Sequence, residues 1–274
     1  MGVKGENLNT QYVLDQEIYQ VKTFWQYSVY RAYLRLKLRH KNTRLGLLWE
    51  PLVLILVSFV LALVWSKIFG VRKFEEFFVY VISGLAIWTT ISSVVSNGIN
   101  FLKNNSNSLI NGKSPILTYI LTDICYEIFC LLIRLPAVVL VVLIYNQSLP
   151  IVSPIILLIS MLCIIFSGIG FALSIGVLAG LLGDFRMLVS TFMRFAFLVT
   201  PIIWMPERLG EYKNYVYLNP FHSYVSVFRS GFMENDEINI DLLISVGCTV
   251  FLVIAGLLTI VFKARELRRK AFVI

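Results

Sequence analysis

Long apolar stretches separated by short polar ones dominate this chain. A helix that crosses a bilayer needs about 20 mostly apolar residues. Six stretches qualify: about Leu47–Trp65, Phe77–Leu102, Ile116–Tyr145, Ile151–Leu182, Met187–Met205 and Leu242–Phe262. The third and fourth are longer than a bilayer is thick, so each is expected to tilt or to project into water. The pattern predicts an all-α integral membrane protein with six transmembrane helices over 47–262. A largely polar segment, 1–46, precedes them, without the pattern of a cleavable signal peptide, and a basic tail, 263–274, follows.

The polar start has its own periodicity. From Asp15 to about Leu38 the apolar residues Ile18, Val21, Phe24, Trp25, Val29, Ala32, Tyr33 and Leu36 recur in steps of three and four. Gln20, Lys22, Gln26, Tyr30, Arg31, Arg35 and Lys37 cover much of the rest. One apolar stripe beside a cationic face predicts an amphipathic helix lying in the membrane interface. The run Arg35–Pro51, RLKLRHKNTRLGLLWEP, then concentrates cations ahead of the first span. Anchoring on anionic lipid explains them without further function. The functional reading is a site for an anionic headgroup on Arg35, Arg39, Lys41 and Arg44, because guanidinium gives phosphate a bidentate, always-charged partner.

Composition agrees with the periodicity. The chain of 274 residues is 58% hydrophobic and 15% charged, with a mean hydropathy of +0.78 and a net charge of +8. The basic surface points to anionic lipid or an acidic partner, not to nucleic acid, because so much of the chain belongs in lipid. With six spans both termini share a side. That side takes sixteen Lys and Arg, while the opposite side takes Arg72, Lys73, Arg208, Lys213 and Arg229. Both termini are therefore expected in the cytoplasm, with the loop between the second and third spans.

That loop, 103–115, contains Gly112-Lys113-Ser114, the tail of a nucleotide-binding P-loop. The first glycine of such a loop would stand at position 107, which is Asn107. No buried strand precedes it, so ATP binding is not expected here. Lys103, Asn104, Asn107, Asn111 and Lys113 form a polar insert between two long helices. It is either a dock for a partner or a solvated connector.

Five charges fall in the spans, Glu50 near the start of the first and four others deeper in the chain. Asp123, Glu127 and Arg134 lie within about 40° of one another around a helix. They read either as a structural Glu127–Arg134 or Asp123–Arg partnership or as the lining of a path. Arg194 has the same two readings, an acid of the third span being its candidate partner. Gly176 and Gly180 form a GxxxG that permits close helix approach, within the chain or between two copies. The segment 206–235 is rich in aromatics and broken by prolines, which suggests short helices re-entering the membrane. Trp88, Trp204, Tyr217, Phe221 and Tyr224 are candidates for interfacial anchoring or for stacking on sugar rings. Cys125, Cys130, Cys163 and Cys248 lie in apolar runs without metal-ligand spacing.

RLGLLWEP (Arg44–Pro51) at the entry of the first span and LNPFHSYVSVFRSGF (Leu218–Phe232) before the last resemble polysaccharide-export permeases of the ABC-2 class. These are the Wzm-type O-antigen and KpsM-type capsule exporters, with teichoic-acid permeases nearby. The basic tail KARELRRK fits as well. The resemblance implies a homodimer of permeases in the inner membrane, bound to two copies of a separate ATPase that carries ATP and Mg, with no cofactor or metal in this chain. It implies an N-terminal gate helix, a coupling helix at about Lys103–Lys113 and re-entrant helices before the last span. The cargo would be a glycan on undecaprenyl pyrophosphate or another lipid anchor. Alternatives are an ABC-2 exporter of teichoic acid or of a small hydrophobic molecule, a proton-coupled lipid flippase, and a glycolipid enzyme. The last would need a base or metal site that His40 and His222, each isolated in sequence, do not suggest.

Overall fold

The computed structural model describes residues 25–39, 41, 43–110, 116–146, 153–233 and 237–271. Asp15–Phe24 of the expected amphipathic helix, and Asn111 to Pro115 of the connecting loop, lie outside the described residues. Every regular element among the described residues is helical. Residues 25–39 form α1. A single 3₁₀ turn, Gly46–Leu48, then leads into α2, Trp49–Phe69. Next come α3, Phe74–Ile110, and α4, Ile116–Asn146. α5, Pro154–Phe171, passes through a π turn at Ala172–Gly176 into α6, Val177–Leu181. α7 is Gly183–Val199, a 3₁₀ segment spans Pro206–Leu218, α8 is Pro220–Arg229 and α9 is Ile238–Ala271.

Five helical stretches are long and apolar enough to cross a membrane: Gly46–Phe69, Phe74–Asn105, Ile116–Tyr145, Pro154–Gly180 and Ile238–Thr259. The sixth expected span, Met187–Met205, is different in the structure. Its helix, α7, is 17 residues, about 25 Å, and ends at Val199. Thr200 is extended there and Pro201 cannot continue a helix. The expected boundaries of the second span also move. α3 does not end at Leu102 but continues unbroken to Ile110. At 37 residues it is about 55 Å long, against about 30 Å of hydrocarbon. The basic tail likewise begins as the last turns of α9, which reaches Ala271.

α3 is the axis of the bundle. The most apolar stretch of α3 is 83% buried, against 22% for α2 and 17% for α9. α2 touches its neighbours along one seam of Glu50, Leu54, Ser58, Ala62 and Ser66, spaced four apart, and leaves the rest of its apolar surface exposed. Small residues at such a seam let backbones approach where lipid offers no hydrophobic drive. The GxxxG is used within the chain: a Cβ on Gly176 would lie 2.3 Å from the Gly98 carbonyl oxygen, and one on Gly180 would meet Leu102 at 2.2 Å. Gly170 likewise admits the backbone of Leu252 on α9.

Candidate functional site

The chain brings its charges together where α1 packs on α4. Ser28, Ala32 and Leu36 form the buried stripe of α1, and Ala32 and Leu36 meet Tyr126 and Cys130 of α4. The stripe is thus rotated from the one expected, and Trp25 and Tyr33 are exposed. Ser28 donates to the Thr118 carbonyl (3.2 Å). The Arg31 guanidinium sits over Tyr119 (5.3 Å) and that of Arg35 over Tyr126 (4.4 Å). The register advances in step on both helices, so α1 runs parallel to the first half of α4.

Glu50 is the hub. It sits in the first turn of α2, and its carboxylate takes Arg39 of α1 (2.9 Å) on Oε1 and Arg134 of α4 (2.7 Å) on Oε2. Arg134 also donates to Thr89 (3.1 Å) and Thr90 (3.4 Å) of α3. Asp123 pairs with Arg35 (2.5 Å), and Glu127 accepts from Asn97 of α3 (3.0 Å). Partial burial lowers the pKa of Arg39, but Glu50 and Tyr126 raise it more, so it stands above its ordinary value. One network therefore ties four helices together. The expected Asp123–Arg pairing exists, with Arg35 as partner. The expected Glu127–Arg134 pair gives way to Arg134–Glu50, because Glu50 reaches Arg134 from α2. Chain separation hides that pair: its members stand 84 positions apart.

Of the headgroup candidates, Arg35 and Arg39 are already engaged with acids, whereas Lys41 and Arg44 are exposed. Lys103 and Asn104 are exposed near the end of α3. Asn107 lies in its final turns, and Asn111 and Lys113 are outside the described residues. The insert is thus, up to Ile110, an extension of α3.

Beside the network runs a feature that the apolar reading of the second span passed over. Trp88, Ser92, Ser96 and Asn100 recur every fourth residue on α3, followed by Asn104. Trp88, Ser92 and Ser96 line a cleft of about 410 Å³ with Ser190, Arg194 and Phe197 of α7. Arg194 is exposed and forms no ion pair among the described residues. An acid of the third span is therefore not its partner.

The aromatic candidates separate. Trp88 stacks edge-on to Phe221 (5.7 Å) and near Phe197 (5.8 Å). Trp204 donates to the Leu198 carbonyl (3.0 Å). Tyr224 is buried, with its hydroxyl 2.8 Å from that of Thr249. Phe221 and Tyr224 line an apolar cleft of about 640 Å³ between α3, α5, α7, α8 and α9. Tyr217 lies elsewhere, donating to Glu237. The Asn-Pro motif is a helix start: Asn219 caps α8 by accepting from the Phe221 amide (3.1 Å), it donates to Thr200 (2.9 Å), and Pro220 takes the first helical position.

The profile of ABC-2 type transporters matches residues 26–233. The chain belongs to the ABC-2 type transporter family. A search of curated proteins returned no match. As an ABC-2 permease the chain is a multi-pass transmembrane subunit of an ABC transporter, and the family implies partnership with an ABC ATPase subunit. The matched segment contains α1 from its second residue on, the charged network, the α3–α7 cleft and α8.

Proposed function

We propose that this permease exports a lipid-linked polysaccharide, of the O-antigen or capsule kind, across the cytoplasmic membrane. Two copies pair, and two copies of a separate ATPase bind ATP and Mg and drive them. Both termini face the cytoplasm, as the distribution of Lys and Arg favours. α7 supplies the sixth crossing, and the 3₁₀ segment with α8 re-enters from the far side.

The observation that carries the reading is the α3–α7 cleft. A row of hydroxyls and an exposed arginine on membrane helices is costly against lipid and belongs against water. A second copy facing this surface would close it into an aqueous path suited to a hydrated chain. Phe197, half-buried in its lining, offers a face on which sugar rings stack, with Trp88 packed against it. Lys41 and Arg44 are the cations left for a pyrophosphate headgroup, and Lys103 and Asn104 present the end of α3 to the ATPase. A second reading, export of a small hydrophobic molecule, is favoured by the apolar cleft of about 640 Å³.

Arg194→Leu tests the choice. Surface glycan should fall at least tenfold while insertion and ATPase co-purification stay unchanged, and Arg194→Lys should retain most export. Full glycan export by Arg194→Leu would remove the channel from this face. Efflux of a hydrophobic dye by both variants, without any glycan phenotype, would favour the second reading.

A further inference from the structure

Far from α1, between the first turns of α3 and α9, lies a different cavity. The 3₁₀ segment and α8 close it to about 360 Å³, within the range of small-molecule sites, about 300–1,000 Å³. Its walls mix polar and apolar groups. Arg229 of α8 is only 7% exposed. Its guanidinium lies 3.5 Å from the centre of the Tyr80 ring and donates to the Pro201 carbonyl (3.2 Å). A Cβ on Gly84 would stand 2.5 Å from its Nη2, so the glycine makes room for it. Among the described residues its Nε has no acceptor, and Nδ1 of His222, a residue 6% exposed, has no partner. Nε2 of His222 is 3.7 Å from Asp241. Ser226 donates to Asp241 (2.5 Å), and Glu237 takes Lys213 (3.1 Å) and the Tyr217 hydroxyl.

Burial, then the hydrogen bond to Glu237, raises the Tyr217 pKa. The bonds from Tyr217 and Lys213 hold Glu237 below its ordinary value. The acid of that pair is therefore the ionised member, an acceptor at the cavity rim.

Buried polar atoms without partners are rare and mark places where something polar is missing. A lone anion would meet Asp241, Glu207 and Glu237. A lone cation would meet Arg229 and Lys213. The wall suits a neutral ligand that donates and accepts at close spacing and carries an apolar face for the tyrosines. Neighbouring ring hydroxyls meet that description.

We propose that this cavity binds one neutral pyranose unit, with Glu237 and Asp241 accepting from its hydroxyls, Lys213 donating to them, and Tyr217 against the ring face. The assignment rests on the export reading, which brings saccharide to this end of the bundle. It adds a subsite inside each protomer, apart from the α3–α7 path.

The test uses the permease with its ATPase in nanodiscs. Saturation-transfer NMR is recorded with D-glucose, D-galactose, L-rhamnose and N-acetyl-D-glucosamine, with sodium sulfate as the anionic probe. Saturable binding of at least one pyranose is expected. It should weaken at least tenfold in Glu237→Gln and in Lys213→Met, rim changes that leave Arg229 in place, and in His222→Ala. Binding of no pyranose, binding unchanged in all three variants, or sulfate competing with the sugar would each overturn the site. Glycan export is measured on the same preparations. Export without pyranose binding overturns the subsite and leaves the export reading intact. Pyranose binding lost in the variants, with no glycan exported, supports the subsite and defeats the export reading.

Discussion

Glu50→Gln is the sharpest perturbation of the charged network. It keeps the shape of the side chain and removes the charge shared by Arg39 and Arg134. The two pairs differ in surroundings: Arg134 is 9% exposed and Arg39 46%. Losing one partner of a buried pair leaves an uncompensated charge, at a cost of about 3–5 kcal/mol. An exposed pair contributes about 0–1 kcal/mol. Nearly all of the loss should therefore come through Arg134, and we expect about 3 kcal/mol. For a chain of this size that lowers Tm by roughly 6–12 °C. Thermal unfolding in mild detergent, followed by tryptophan fluorescence, reads the shift. Arg39→Gln should lower Tm by no more than about 3 °C on the same scale. The double change Glu50→Leu with Arg134→Met should return most of the loss, because two apolar side chains replace a buried pair at little net cost. A Glu50→Gln melt within about 2 °C of wild type, or an Arg39→Gln melt as low as that of Glu50→Gln, would refute the assignment of Arg134 as the buried partner.

Two further outcomes follow from other parts of the fold. Gly170→Ala places a Cβ 2.4 Å from the Leu252 carbonyl carbon and should destabilise by about 1–3 kcal/mol or more by prising α5 from α9, whereas Gly247→Ala, which meets nothing within 4 Å, should stay within about 0.5 kcal/mol. Equal melts for the two would show that α5 and α9 are not in close contact. Burial, and then Arg229, lowers the His222 pKa to about 4 from an ordinary 6.5. Between those values the unfolded chain holds the extra proton, so stability falls as pH drops from 6.5 toward 4, by at most on the order of 3 kcal/mol. Melts from pH 7 to pH 4.5 should fall less steeply in His222→Gln, and identical slopes would place His222 in water.

Some of this was legible from spacing alone. The α1 helix followed from steps of three and four, and its cationic face from Arg31 and Arg35. Which stripe it buries did not follow, because the choice between Ala32 with Leu36 and Trp25 with Tyr33 depends on what α4 presents, here Tyr126 and Cys130. The end of α3 was missed by the apolar criterion, since Lys103 to Ile110 is polar where it leaves lipid but remains helical. The cleft beside Arg194 was missed because hydroxyls at Ser92 and Ser96 scarcely lower hydropathy, and only their alignment with α7 makes them a surface.

What the sequence by itself determined is local or additive. Apolar run lengths set the membrane class, prolines and Asn219 set the helix ends, and the sum of loop charges sets the expected orientation. The tertiary structure alone decided the pairing. Glu50 takes Arg134 across 84 residues of chain, and Arg229 and Asp241 line one cavity from different helices. A charge in a low-dielectric interior selects its partner by proximity in space, and proximity between helices is set by which small-residue seams dock, not by distance along the chain.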